Sequence, residues 1–128
     1  MIPDNELIRA AEEMLDKAYA PYSGFRVGAA LLCADGRVFT GCNVENASYG
    51  GTICAERTAA LKAVSEGARE FKAIAIVSGA GDLTFPCGIC RQFLSEFACD
   101  DFRVILRDKN GNIVSFTFEE LMPHSFKL

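Results

Sequence analysis

No tryptophan, a single histidine and only four prolines occur in the 128 residues, and no apolar run approaches the ~20 residues that a membrane-spanning helix needs. No association with a membrane is therefore expected. A basic excess is missing too: 13 Lys and Arg stand against 17 Asp and Glu, for a formal net charge of −4. With no clustered Lys and Arg to grip a phosphate backbone, nucleic acid is not expected as a partner. The opening Met1-Ile2-Pro3-Asp4-Asn5-Glu6 lacks the positive segment and apolar stretch of an export signal, so a cytoplasmic protein is expected. Scarce proline, with 50% hydrophobic and 23% charged residues, excludes a disordered or low-complexity chain. One domain over residues 1–128 is the expectation, at the usual ~100–200 residues per domain.

Cysteine, by contrast, is plentiful. Six occur, at positions 33, 42, 54, 87, 90 and 99, and they could pair in about 15 ways. In a reducing compartment, closely spaced cysteines more often bind metal or do redox work than staple a fold. Cys33, Cys42 and Cys99 fall in strand or helix-end contexts and read as structural. His124 lies in an expected terminal loop far along the chain from the other three, and reads as neither ligand nor base.

Periodicity predicts an amphipathic helix over Asp4 to Ala20, stopped before Pro21, with Leu7, Ile8, Ala11, Leu15, Ala18 and Tyr19 on one face. Phe25 to Cys33 is apolar almost throughout, as a strand covered on both faces would be. Asp35-Gly36 turns the chain into an antiparallel strand, Val38 to Val44. A Gly-, Asn- and Ser-rich loop follows, then a helix from Cys54 to Glu66 that Gly67 ends. Lys72 to Ser78 reads as a strand, Gly79 to Phe85 as a loop and Cys87 to Phe97 as a helix begun by Pro86. Phe102 to Leu106 and Ile113 to Phe118 are joined too tightly for a crossover, so they form an antiparallel hairpin, with a short helix near Glu119. Two strand–helix–strand crossovers between hairpins imply an α/β fold on one mixed, roughly five-stranded sheet.

Chemistry concentrates at two expected helix starts, Cys54-Ala55-Glu56 and Pro86-Cys87-Gly88-Ile89-Cys90. Cys87 and Cys90, three apart on a helix, put their sulfurs on one face. With Cys54 they offer three thiolates and leave a fourth tetrahedral position for water, the form of a catalytic zinc site. Cys54 and Glu56 would point apart inside a helix, about 200° of rotation separating them, and can share a site only at its first turn. Glu56 is there the candidate general acid and base, and helix N-termini favour thiolates. Three thiolates leave Zn²⁺ in a cluster of net charge −1, and Arg57, three residues after Cys54, could offset it by donating to ligand sulfur.

Five segments carry a resemblance. They are Ala20-Pro21-Tyr22-Ser23-Gly24-Phe25, Val27-Gly28-Ala29-Ala30-Leu31, Gly41-Cys42-Asn43-Val44-Glu45-Asn46-Ala47, Cys54-Ala55-Glu56-Arg57-Thr58-Ala59 and Pro86-Cys87-Gly88-Ile89-Cys90-Arg91-Gln92. On these residues the chain resembles the small zinc-dependent cytidine deaminases of pyrimidine nucleoside salvage, in the branch with three cysteine ligands. The resemblance implies a three-layer fold with helices on both faces of the sheet and an antiparallel last strand. It implies one Zn²⁺ per subunit and hydrolytic loss of ammonia from C4 of cytidine or 2′-deoxycytidine, with Glu56 moving the protons. It also implies that Asn43 and Glu45 hold the ribose 3′-hydroxyl, that Phe25 packs on the nucleoside, and that the main chain near Ala55 reads the pyrimidine. A homotetramer with shared active sites is implied as well, Phe126 reaching the base in a neighbour's site and Tyr49 lying at the interface.

Three other readings compete. A Cys-x-x-Cys dithiol like that of thioredoxin-like proteins would leave Cys54 and Glu56 without a role. A structural zinc site would want a fourth protein ligand, and no second Cys or His accompanies Cys54 locally. Blasticidin-type deaminases are similar at the zinc motifs, but Asn43-Val44-Glu45-Asn46 fits the nucleoside enzymes better.

Overall fold

A computed structural model describes all residues, 1–128. Leu7, Ile8 and Ala11 are buried along one face of the first helix, α1 (Asp4–Glu13). The expected continuation to Ala20 is not made: a 3₁₀ turn over Met14–Lys17 ends the helix, and Ala18 is extended. Tertiary pairing explains the difference, because Tyr19 N–H donates to Asn43 O and Glu45 N–H donates to Tyr19 O, each at 2.9 Å. Those two bonds dock residues 18–20 beside the segment that follows the second strand.

All seven residues of β1 (Val27–Cys33) are buried, as a strand covered on both faces requires. It starts at Val27 and leaves Phe25 outside. The second strand, β2 (Val38–Cys42), ends before Asn43 and Val44, and Val44 instead makes isolated bridges to Tyr19 and Ile53. Helix α2 (Ala55–Ser65) has Cys54 as its N-cap. After β3 (Phe71–Ser78), helix α3 (Gly88–Ser95) has Cys87 as its N-cap and stops short of Phe97. The next strand, β4 (Ala98–Arg107), is longer than its apolar centre suggested and takes in Cys99. The chain continues with β5 (Ile113–Thr117) and α4 (Phe118–Leu121), the latter begun by a capping box between Thr117 and Glu120.

The sheet order is β2-β1-β3-β4-β5. Strand β1 is antiparallel to both neighbours, β3 and β4 are parallel, and the last strand, β5, is antiparallel to β4. Side-chain alternation divides the interior into two cores. Leu7, Ile8 and Ala11 pack against Ala30, Leu32, Ala73, Ala75, Val77 and Ile105 on one face. On the other, Ala59, Ala60 and Ala63 of α2 and Leu94 of α3 cover Ala29, Leu31, Ile74, Ile76 and Val104. The architecture is thus α/β, with helices on both faces of a mixed, open, five-stranded sheet.

Two glycines set how closely the helices lie. A Cβ on Gly28 would stand 2.0 Å from Ala11 O, so α1 rests on bare β1 backbone. A Cβ on Gly41 would stand 2.4 Å from Ala55 O and 2.5 Å from Ala59 N. Gly41 therefore lets the first turn of α2, which carries the chemistry, sit directly on β2.

Candidate active site

Cys54 and Cys87, as N-caps, point into the space before α2 and α3, and Cys90 enters from the first turn of α3. Their three sulfurs lie within 4.8 Å of one another. Zn–S bonds of about 2.3 Å in a tetrahedron require sulfurs about 3.8 Å apart. Cys54 Sγ and Cys87 Sγ are 3.8 Å apart. The donor set therefore fits zinc, and with three members it leaves one coordination position open. Cys33, Cys42 and Cys99 are free and stand outside this cluster.

Electrostatics sets Cys54 and Cys90 apart. Hydrogen bonding from Cys90, from Arg57 and from Cys87 holds Cys54 well below the ordinary thiol value. The same bond to Cys54, together with burial, pushes Cys90 the other way. Arg57 Nη2 donates to Cys54 Sγ at 3.4 Å and to Thr52 O at 3.3 Å. Burial alone would make its guanidinium easier to deprotonate, but the Cys54 and Cys90 sulfurs outweigh that and raise its pKa. Its Nε is buried with no partner, and no carboxylate pairs with it. The arginine charge is left to the sulfurs, where it can cancel the −1 of a zinc trithiolate.

Glu56 is 4% exposed. Burial pushes its carboxyl up to about 7, and the neighbouring Cys54 charge adds in the same direction. Its position explains how it shares a site with Cys54: one is the N-cap and the other falls in the first turn, before helical rotation separates them.

A pocket of about 280 Å³ connects these groups to the loop after residue 20; its lining includes Phe25, Asn43, Glu45, Cys54, Ala55 and Glu56. Asn43 and Glu45 are both buried although β2 ends before them. Phe25 is 44% exposed at the mouth. Ser23, Thr52, Thr84 and Phe85 also line the pocket, and none was singled out from the sequence. For Ser23 the signal was present, since it lies in the Tyr22-Ser23-Gly24 segment next to Phe25. Thr52, Thr84 and Phe85 carry no motif of their own and arrive only through the folding of their loops.

Phe126 is not in this pocket. It is 64% exposed, and its carbonyl accepts from Gln92 Nε2 at 3.1 Å on the outer side of α3. A larger cavity, about 440 Å³, lies at the C-terminal end beside Cys99, Asp100 and His124, and contains none of the clustered cysteines. His124 thus stands outside the cysteine cluster.

A buried acid beside an open trithiolate site, at the N-termini of two helices on one sheet, defines a zinc-dependent hydrolytic enzyme. The family described as the cytidine and deoxycytidylate deaminase zinc-binding region matches residues 1–106, and the chain belongs to that family. A cytidine deaminase of Halalkalibacterium halodurans is 50% identical over 94% of this chain and 91% of its own length. The crystal structure of the cytidine deaminase from Burkholderia pseudomallei covers 98% of this chain and 100% of its own, at 46% identity and a TM-score of 0.90. A blasticidin-S deaminase of Bacillus cereus is similar at a greater distance, 34% identical over 94% of this chain and 89% of its own length.

Proposed function

We propose that this chain is a single catalytic domain, residues 1–128, that removes ammonia hydrolytically from C4 of cytidine and 2′-deoxycytidine in pyrimidine salvage. The observation that carries the reading is the buried Glu56 carboxyl placed in one pocket with Cys54, Cys87 and the Asn43–Glu45 pair. When bound by Cys54, Cys87 and Cys90, zinc supplies the Lewis acidity that makes water a nucleophile near neutral pH. Glu56 would take the first proton of the attacking water and deliver it to N3 of the base, then take the second from the hydroxyl added at C4 and deliver it to the departing amine, so that both water protons are accounted for. A carboxyl held near 7 by burial suits both halves of this exchange, because it gains and loses protons at little cost near neutrality. Arg57 offsets the thiolate charge and so preserves the acidity of the metal.

At the far end of the pocket, Glu45 and Asn43 receive the 3′-hydroxyl of the sugar, Phe25 packs on the nucleoside, and the backbone at Ala55 reads the pyrimidine edge. The Ser23 hydroxyl and N–H, followed by the Tyr22 N–H, keep the Glu45 carboxyl below the usual carboxylate range. It is thereby held as an ionised acceptor. A 3′-hydroxyl clamp of this kind is blind to the 2′ position, so both nucleosides fit.

Homotetramer assembly accounts for the exposed aromatics. Tyr49 and Phe126 are among the most exposed large side chains. Tyr49 stands edge-on to Tyr22 beside Glu45, at a centroid distance of 5.5 Å. In this reading Phe126 completes a neighbouring subunit's pocket, which is why it lies away from its own. No helix is long and apolar enough to cross a membrane. A cytoplasmic location is part of the proposal, since a thiolate metal site needs a compartment that keeps cysteines reduced.

Ammonia release from cytidine by zinc-loaded protein, with Glu56→Gln in parallel, tests the reading. Release by the parent, with a loss of about 10²–10⁴-fold in a variant that retains zinc, is expected. Release from blasticidin S in preference to cytidine would transfer the assignment to that substrate.

A further inference from the structure

Away from the cysteines the pocket is lined by Ser23, Phe25 and Glu45, and the hydrogen bonds of that loop converge on the Glu45 carboxylate, one of them through a small side chain, Ser23. Ser23 Oγ donates to Glu45 Oε2 and accepts the Phe25 N–H at 3.0 Å. On the same carboxylate, Oε1 accepts the Tyr22 N–H at 3.0 Å and the Ser23 N–H at 3.1 Å. Asn43 secures the next residues, with Oδ1 accepting the Val27 N–H at 2.9 Å and Nδ2 donating to Phe25 O at 2.8 Å.

A serine hydroxyl has one proton and two lone pairs. Giving that proton to the carboxylate fixes the rotor and leaves a lone pair to hold the backbone of Phe25. Oε1 of Glu45 is occupied by two backbone donors, whereas Oε2 has one donor and keeps acceptor capacity. The direction in which that capacity points is set by Ser23, because no other side chain bonds to Oε2.

We infer that Ser23 is a positioning residue for sugar recognition: its hydroxyl orients Glu45 Oε2 toward the 3′-hydroxyl and couples that carboxylate to the segment carrying Phe25. The inference rests on the nucleoside reading above. It differs from a general structural role, because Ser23 is exposed and contributes nothing to either core. Losing the hydroxyl would leave the Phe25 N–H without its acceptor and the carboxylate held only at Oε1 by the Tyr22 and Ser23 N–H groups, with Oε2 no longer fixed and the zinc ligands untouched.

The test compares the zinc-loaded parent, Ser23→Ala and Ser23→Thr with cytidine and with 2′,3′-dideoxycytidine, the latter as a competitive inhibitor that lacks the 2′- and 3′-hydroxyls and keeps the 5′-hydroxyl. Ser23→Ala is expected to raise KM for cytidine about tenfold, the loss of one hydrogen bond to a charged group. Its kcat and its zinc content should stay at parental values, its inhibition by dideoxycytidine should weaken far less than its KM for cytidine rises, and Ser23→Thr, which keeps the hydroxyl, should restore KM. An equal weakening toward both ligands would show a general loop defect and overturn the inference, as would failure of Ser23→Thr to restore. A parent that deaminates cytidine alongside an unaltered Ser23→Ala would overturn this inference alone. A parent that releases no ammonia from cytidine would overturn the nucleoside reading and this inference together.

Discussion

At the metal end of the pocket, Cys54 and Cys87 cap α2 and α3 and Glu56 follows within the first turn, whereas at the end proposed to receive the sugar Phe25, Asn43 and Glu45 belong to no helix or strand. The metal end takes its geometry from helix starts, where the backbone direction and the partial positive charge are fixed by the peptide chain itself. Its side chains are left free to face a ligand. The sugar end must hold loops in place with the same polar groups that would meet the substrate, so Asn43 is bonded to Phe25 O and Val27 N–H, and Glu45 to Tyr22 and Ser23. Damage to the first end should therefore appear in metal content and turnover, and damage to the second in KM.

The harshest way to break this contrast is Cys87→Ala. Two thiolates cannot hold zinc as three do, so zinc content and ammonia release should both fall to background, while the far-ultraviolet circular dichroism stays that of the parent. Arg57→Ala sharpens the contrast from the same side. Loss of a group bonded to a ligand sulfur typically costs about 10–100-fold in metal affinity or activity. Zinc titration against a chelator and kcat should both register it, with KM little changed. Retained zinc affinity and turnover would remove Arg57 from the site.

Glu45→Gln probes the other end. The neutral amide loses an ionised acceptor, and a KM for cytidine raised about tenfold with full zinc content is expected from steady-state kinetics. The smallest effect lies away from the pocket, in the ion pair between Asp4 and Arg103 that ties the start of α1 to β4. The Arg103 hydrogen bond holds Asp4 below its ordinary value of 3.8. The unfolded chain therefore binds the Asp4 proton more readily. The stabilisation is complete above the unfolded value and is lost as the pH falls through the lower, folded one. For a pair this exposed it amounts to about 0.2–1 kcal/mol. Asp4→Asn should lower the thermal midpoint slightly at pH 7, with the gap to the parent closing in acid and activity per folded molecule unchanged.

Legibility followed the same division. Cys54, Glu56, Cys87 and Cys90 could be read because helix starts impose short, regular spacings on groups that share a face, and the structure brings these residues together. Thr52, Thr84 and Phe85 could not be read as pocket residues, since they carry no motif and only the fold joins their loops to the site. The first helix shows the same limit within the fold. Its apolar period runs on to Ala18 and Tyr19, but pairing of Tyr19 with Asn43 and Glu45 is decided by contacts 24 and 26 residues away, and it draws the chain out of helix after Lys17.

By itself the sequence determined the order of helices and strands, the antiparallel hairpin at the end, the two faces of β1 and the metal-binding trio. The first three rest on local propensity and periodicity, and the trio on two short motifs at expected helix starts, Cys54-Ala55-Glu56 and Cys87-Gly88-Ile89-Cys90, which the fold joins across 33 residues. Only the tertiary structure decided where α1 ends, how near α2 lies to Gly41, which loops close the pocket and which hydrogen bonds occupy Asn43 and Glu45. These depend on backbone groups finding partners across the chain. That is a condition on the whole fold, since any polar group buried without a partner costs free energy wherever its partner stands in the sequence.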